Sequence, residues 1–256
     1  MITIDGNGAA GAPLAAKNGG KTMAKYRRIV LKLSGESLAA GHGAFDEARI
    51  LEVAQNIAAL SQMGVETAVV MGGGNIWRGR FSEQMDPVSA DQMGMLATVI
   101  NALAVQEALR RVGQSASVFT AQEMNRFTRL YTAKAAIECM ESGEIVLLAG
   151  GTGNPFFTTD TGAALRAAEL KADAVFKGTT VEGVYDSDPR KNPEAKLIRD
   201  ISYREAVTRG LRVMDLTAFM LCMEQKVPVV RVFSMENLGN ILRVAAGENL
   251  GTTVHE

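Results

Sequence analysis

The sequence predicts an α/β domain, in which a mainly parallel sheet is covered by helices on both faces and wound right-handedly. Three observations carry this. Apolar strand-like runs alternate with segments of helical period, loops rich in glycine or small polar residues follow three of the strands, and no long linker, internal repeat or low-complexity stretch occurs after Lys25. A chain of 256 residues suits one large domain or two small ones, and the unbroken alternation favours a single domain over residues 26–256. Residues 1–25 are rich in Gly and Ala and contain no continuous apolar core, so they read as a disordered tail and not as a signal peptide. Met23 is an equal candidate for the start.

The first strand, residues 26–33 (YRRIVLKL), ends in Lys32-Leu33-Ser34-Gly35-Glu36-Ser37. Open α/β sheets bind ligands at such carboxyl ends, although a strand-end lysine is by itself usually just solvated. A Walker A loop is absent. Residues 46–63 repeat apolar side chains at Ile50, Val53, Ala54, Ile57, Ala58 and Leu60, the spacing of an amphipathic helix, with Gly64 as its stop. The strand at 65–71 then runs into Gly72-Gly73-Gly74-Asn75-Ile76-Trp77-Arg78-Gly79-Arg80. Consecutive glycines offer an anion a nest of N–H groups, and Arg78 a forked donor; a purely structural turn is the plain alternative.

Residues 91–112 form a long apolar helix closed by Gly113. Met93 and Met95, with Met85 upstream, read as core or subunit-contact residues, and Asp91 as a carboxylate at the helix start. A strand at 115–120, a helix at 132–142 and a strand at 144–149 follow. The next loop, residues 149–161, has three glycines in four positions (Gly150, Gly151, Gly153), then Asn154, Pro155, Phe156 and Phe157, then Thr158, Thr159, Asp160 and Thr161. The glycines let backbone approach a ligand, Pro155 holds Asn154 extended, and the Thr/Asp run can cap a helix whose N-terminus favours anions. Two adjacent phenylalanines in a chain with 5% aromatics favour a binding loop over a plain turn. Beyond the helix at 160–172, a strand at 174–178 leads into a polar strand or hairpin and turn at 179–189. Of Phe176, Tyr185 and Tyr203, Tyr185 is the best placed to meet a nucleotide base, because it lies in that turn; Phe176 reads as core. Helices at 202–209 and 216–225, a strand at 227–233 and a helix at 236–246 complete the pattern.

Composition narrows the function. Twenty-seven basic and twenty-eight acidic residues give a formal charge of −1, so no overall field favours nucleic acid or an acidic membrane. No unbroken apolar run approaches the 18 or so residues of a membrane span. Cys139 and Cys222 lack metal or disulfide spacing and fit reduced thiols in a cytoplasmic protein, and neither His42 nor His255 is placed like a general base. The three loops at 32–37, 72–80 and 149–161 gather at one sheet edge, bringing a lysine, an arginine, backbone N–H groups and, with Asp91 and Asp160, two carboxylates. That inventory suits phosphoryl transfer, where a protein mainly positions reactants and neutralises charge. Mg²⁺ held by substrate phosphates and water needs few protein ligands, and an acceptor that is already an anion needs no strong base.

The motifs KLSGES, GGGNIWRG, DQMGMLATVINALA, GTGNPFFTTD, EGVYDSDP and VMDLTAF resemble those of the bacterial uridylate kinases of the amino acid kinase superfamily, over nearly all of the chain past the tail. The resemblance implies a three-layer α/β/α sandwich that transfers the γ-phosphate of ATP to UMP with Mg²⁺. By motif, Lys32, Leu33, Ser34 and Gly35 would line the donor phosphates, with Gly74 and Arg78 on the same side, and Thr179, Tyr185 and Asp188 would hold the ATP base and ribose. Gly73 would touch UMP, Asp91 would accept from its ribose hydroxyls, and Thr152, Gly153, Asn154, Pro155, Phe156, Phe157, Thr158 and Thr159 would enclose it. Lys32, Arg78 and Asp160 would carry catalysis. The family implies a cytoplasmic homohexamer with GTP as activator and UTP as inhibitor. Two features depart from its pattern: Thr180 and Glu182 flank Val181 where relatives commonly have Lys or Asn and then Asp, and residues 39–46 lack a Gly-Phe-Gly element associated with effector contact. The rival readings are a carbamate, acetylglutamate or aspartate kinase of the same superfamily, and a non-catalytic nucleotide- or oxyanion-binding protein on the same fold.

Overall fold

A computed structural model describes residues 24–39, 43–77, 85–211 and 214–256. The expected tail before residue 24, His42 and the Arg78-Gly79-Arg80 end of the triple-glycine loop lie outside the described residues. Along the chain the strands are β1 (Arg28–Leu33), β2 (Glu66–Met71), β3 (Ala116–Thr120), β4 (Arg129–Leu130), β5 (Ile145–Ala149), β6 (Ala174–Thr179), β7 (Val184–Tyr185), β8 (Leu197–Ile198), β9 (Asp200–Ser202), β10 (Val229–Ser234) and β11 (Thr252–His255). The α-helices are α1 (Glu47–Gln62), α2 (Pro87–Arg111), α3 (Ala133–Glu141), α4 (Thr159–Leu170), α5 (Tyr203–Thr208), α6 (Leu216–Glu224) and α7 (Asn240–Ala245).

The main sheet has the order β4-β3-β5-β2-β1-β6-β10-β11-β9. All six strands expected from the sequence are present and run parallel. Each is an apolar run buried on both faces, as a parallel strand between two helical layers must be. Alternation along β1 shows the layering: Ile29, Leu31 and Leu33 pack with α1, α2 and α7 on one face, while Val30 packs with α3, α4, α5 and α6 on the other. The result is the three-layer α/β/α sandwich. The short strands β4, β9 and β11 extend the sheet at its edges, β11 running antiparallel to β10; β7 is the strand expected within 179–189, and its partner β8 lies beyond that segment. Strands of two to four residues show no period to read in a sequence.

One element differs from expectation in a way that bears on the site. Helix α2 begins four residues early, because Asp86 accepts the N–H of Ser89 at 2.9 Å and Pro87 occupies the first turn, where its missing donor costs nothing. Asp91 therefore lies inside the helix and not at its start. The same helix is long and apolar enough, by length and composition, to cross a membrane, which a search for an unbroken apolar run does not register. Its Val99, Ala102, Val105 and Leu109 belong to the core beneath the sheet, while Met93, Leu96 and Ile100 are exposed.

Candidate active site

β1 and β6 are neighbours, and their register places Lys32 opposite Lys177. Alternation turns both side chains towards the layer that contains α4. Asp160, in the first turn of α4, meets them there: Lys177 donates to Oδ2 of Asp160, and Lys32 Nζ lies 3.2 Å from Oδ1. Oδ1 is buried, with Lys32 Nζ as its ion partner and no hydrogen bond from another described residue. All three side chains are at least four-fifths buried. Burial opposes ionisation of Asp160, but Lys32 and Lys177 outweigh it and hold the carboxyl below its usual range. Burial lowers the pKa of Lys177 against the pull of Asp160, with the charge on Lys32 acting in the same direction as burial. Two cations around one carboxylate leave a net positive charge at the helix start, the arrangement an incoming polyphosphate would neutralise.

The helix start is itself braced. Thr158 accepts the N–H groups of Asp160 and Thr161 and donates its hydroxyl to Asp215. Asp215 also accepts from Thr161 and from the Ala218 N–H that opens α6. The Thr158 side chain, expected among the UMP contacts, is thus committed to capping.

The first two loops lie in direct contact. Gly72 donates its N–H to Leu33 O at 2.8 Å, and a Cβ on Gly35 would stand 2.8 Å from Gly74 N, so backbone here passes against backbone and glycine is required by space. Gly73 meets the same restriction from α2, with Gly94 O at 2.8 Å from a built Cβ. Ser34 bonds Ser37, and the Leu33 side chain is wholly in the core, leaving only its backbone for a ligand. Trp77 donates to Ala90 O at 2.9 Å.

The loop after β5 lies across the same edge. Gly150 N–H bonds Thr98, Gln122 donates to Gly153 O at 2.8 Å, and Thr152 closes a small turn with Asn154. Phe156 has a φ of 72°, unusual for a bulky residue, and donates its N–H to Asp91 Oδ2 at 2.6 Å. Its ring and that of Phe157 are exposed. On the far side of β6, the Thr179 hydroxyl closes a turn with Val181, Tyr185 is half-buried in β7, and Asp188 accepts the Arg190 N–H. Thr180, one of the departures from the family pattern, accepts from the Arg190 side chain at 3.1 Å. Phe176 and Tyr203 are core residues.

The structure thus brings together Lys32, Asp160 and the expected glycine loops, and adds Lys177, Thr98, Asn101 and Asp215, which the sequence reading did not single out. Lys177 is a charge near the end of an otherwise apolar strand, the same signal that marked Lys32. The residues fit a divalent cation carried in by phosphates. Among the described residues no three His, Cys, Asp or Glu side chains converge to hold one, and the carboxylate nearest the helix start is Asp160, paired with Lys32 and Lys177. A groove of about 700 Å³ near Gln106, Glu107, Arg110 and Glu144 lies at the opposite, amino-terminal edge of the sheet and contains none of these groups.

Buried cations at a helix start, facing backbone nests at the carboxyl edge of a parallel sheet, define an α/β/α protein of the phosphotransferase class. Residues 27–233 match the profile of the Amino acid kinase family. The chain belongs to that family, in its uridylate kinase branch. It is 52% identical over 236 residues to the uridylate kinase of Bacteroides thetaiotaomicron, covering 91% of this chain and 100% of that one, and 51% identical, with the same coverage, to the uridylate kinase of Parabacteroides distasonis. The crystal structure of UMP kinase from Bacillus anthracis aligns with a TM-score of 0.86 at 34% identity, covering 90% of this chain and 96% of that one.

Proposed function

We infer that the chain is an ATP-dependent UMP kinase, which transfers the γ-phosphate of ATP to UMP and releases UDP and ADP. The observation that carries this reading is the Lys32–Asp160–Lys177 cluster between the glycine loops. A phosphate oxygen of UMP attacks the γ-phosphorus in line, and the bond from that phosphorus to the β,γ-bridging oxygen breaks with its electron pair going to ADP. The attacking oxygen is already anionic, so no base has to remove a proton. Lys32 and Lys177 offset charge on the transferring group and the departing oxygen, and Asp160 holds the two ammonium groups in place. Mg²⁺ brought with ATP would offset phosphate charge, and Asp160 would be the carboxylate available to its water shell.

On this reading the backbone of residues 33–35 and 73–74 cradles the phosphates, together with Arg78. Thr179, Tyr185 and Asp188 take the donor base and ribose. Asp91 and residues 152–159 take UMP, the Asp91 carboxylate having acceptor capacity beyond the Phe156 N–H it already receives. The exposed apolar face of α2 at Met93, Leu96 and Ile100 supports a homohexamer, and free buried cysteines agree with a cytoplasmic role in pyrimidine nucleotide synthesis. GTP and UTP are the effectors to test.

The test is a steady-state assay of ADP and UDP formation from ATP and UMP, with CMP, AMP, carbamate and acetylglutamate as competing acceptors and with GTP or UTP added. UMP is the acceptor expected to turn over fastest; no turnover of UMP would refute the reading. Lys32→Ala should leave UMP affinity nearly intact and lower kcat by about 10²-fold or more, because the lysine acts on the transition state. An equal loss of affinity and rate would mean that Lys32 binds the ground state.

A further inference from the structure

Helix α2 carries two fully or nearly fully buried polar side chains one turn apart, Thr98 and Asn101, within an apolar face. Valine and leucine would pack there, and a buried hydroxyl or amide is retained only where its bonds are satisfied. Asn101 spends both its donors on the triple-glycine loop, giving one to Gly72 O at 2.6 Å and one to Asn75 Oδ1 at 2.7 Å. Its own Oδ1 accepts from Asn75 Nδ2 at 3.1 Å, and Nδ2 also reaches Ala44 O at 2.6 Å. Thr98 donates to Met95 O and accepts the N–H of Gly150 at 2.8 Å. Gly72 and Gly150 are the first residues beyond β2 and β5, and those two strands are neighbours in the sheet.

We propose that Thr98 and Asn101 are positioning residues that set the spacing between the phosphate-binding and acceptor-binding loops from a single turn of α2. The idea rests on the kinase reading above. Neither side chain touches a reacting group. They tie the exits of two adjacent strands to one rigid element, and an error of about 1 Å in such spacing can cost about 10²-fold in rate. The strands end at Met71 and Ala149; beyond them Gly72 keeps one backbone bond to Leu33 O, and the side chains of α2 hold Gly72 O and the Gly150 N–H.

Thr98→Val removes the hydroxyl at nearly constant volume, and Thr98→Ser keeps it. With the full-length protein, kcat, the KM values for ATP and UMP, UMP affinity by equilibrium dialysis and the melting temperature are measured for each. The expected result is a kcat lowered roughly 10- to 100-fold in Thr98→Val, UMP affinity within about threefold of wild type, and recovery to within about threefold of wild-type kcat in Thr98→Ser. A merely structural role predicts lowered melting temperature with kcat intact in the folded protein, and that outcome overturns the proposal, as does a Thr98→Ser variant as slow as Thr98→Val. If Thr98→Val does not fold, Thr98→Ala is judged by the same criteria. A wild-type protein inert towards UMP would overturn the kinase reading and this proposal with it; an active wild type with an unimpaired Thr98→Val would overturn this proposal alone.

Discussion

Phe156 occupies the left-handed region at φ 72° with its ring 72% exposed, so it bears conformational strain without gaining burial in return. Such strain costs on the order of 1–3 kcal/mol and persists only where neighbours impose it; here the Asp91 carboxylate holds the Phe156 N–H. Phe156→Gly relieves the strain, and we expect a melting temperature equal to or above that of wild type together with weaker UMP binding. A lower melting temperature would show that the ring packs against something. Asp160 gives a prediction of opposite form. Its pKa is depressed in the folded state, so its stabilisation is complete above the ordinary carboxyl value of 3.8 and is lost as pH falls through the lower, folded value. Asp160→Asn leaves two buried ammonium groups facing each other and should cost about 3 kcal/mol, measured by urea unfolding at neutral pH. ATP should then raise the melting temperature of Asp160→Asn more than that of wild type, since its phosphates replace the missing charge; a smaller rise would sink this account of the cluster. At this scale Lys32 and Asp160 were legible because each stands at an element boundary beside small polar residues. Thr98 and Asn101 were not, since their meaning comes from loops that the fold, and not the sequence, puts beside them.

Helix α2 shows how an element can hide its beginning. Asp86-Pro87 is a readable cap, yet the apolar run is more conspicuous from Asp91 onward and so points to a start one turn later than the true one. Its outward face predicts assembly: Ile100→Glu should leave the circular dichroism spectrum intact while reducing the sedimenting mass, and an unchanged mass would exclude this face from the subunit contact. At the other end of the sheet, β9 and β11 are joined by His255, whose Nε2 lies 2.8 Å from Asp200 Oδ1. The Asp200 carboxylate and then the Glu256 carbonyl raise the imidazole pKa above its free value of 6.5. Stabilisation from this pair is therefore complete below pH 6.5 and disappears as pH rises through the folded value. Because the ring is partly exposed, the effect is small. It should appear as a fall in melting temperature across that window in wild type and not in His255→Gln; parallel curves for the two proteins would refute it. Neither strand is visible in the sequence, because three or four residues at a sheet edge lack both length and a two-sided apolar pattern.

Across the whole molecule, the parallel core was legible because its strands are apolar on both faces and regularly separated by helices. The order of those strands was not, and it is the order that creates the site. Lys32 and Lys177 meet only because β6 inserts beside β1, between it and β10, a pairing that no local pattern encodes. A net charge of −1 likewise gives no hint of two lysines gathered at one helix start.

The same strand order governs how the chain can be built. β1 is the centre of the finished sheet, with Ile29, Val30 and Leu31 wholly buried, but until β6 has been synthesised one of its two edges has no partner. A chain that ended at Leu170 would hold Lys32 and Asp160 yet leave one edge of β1 unpaired, a feature that invites misassociation. Completing the cation cluster and covering that edge of β1 both require β6, which in turn leaves its own outer edge open until β10 pairs with it.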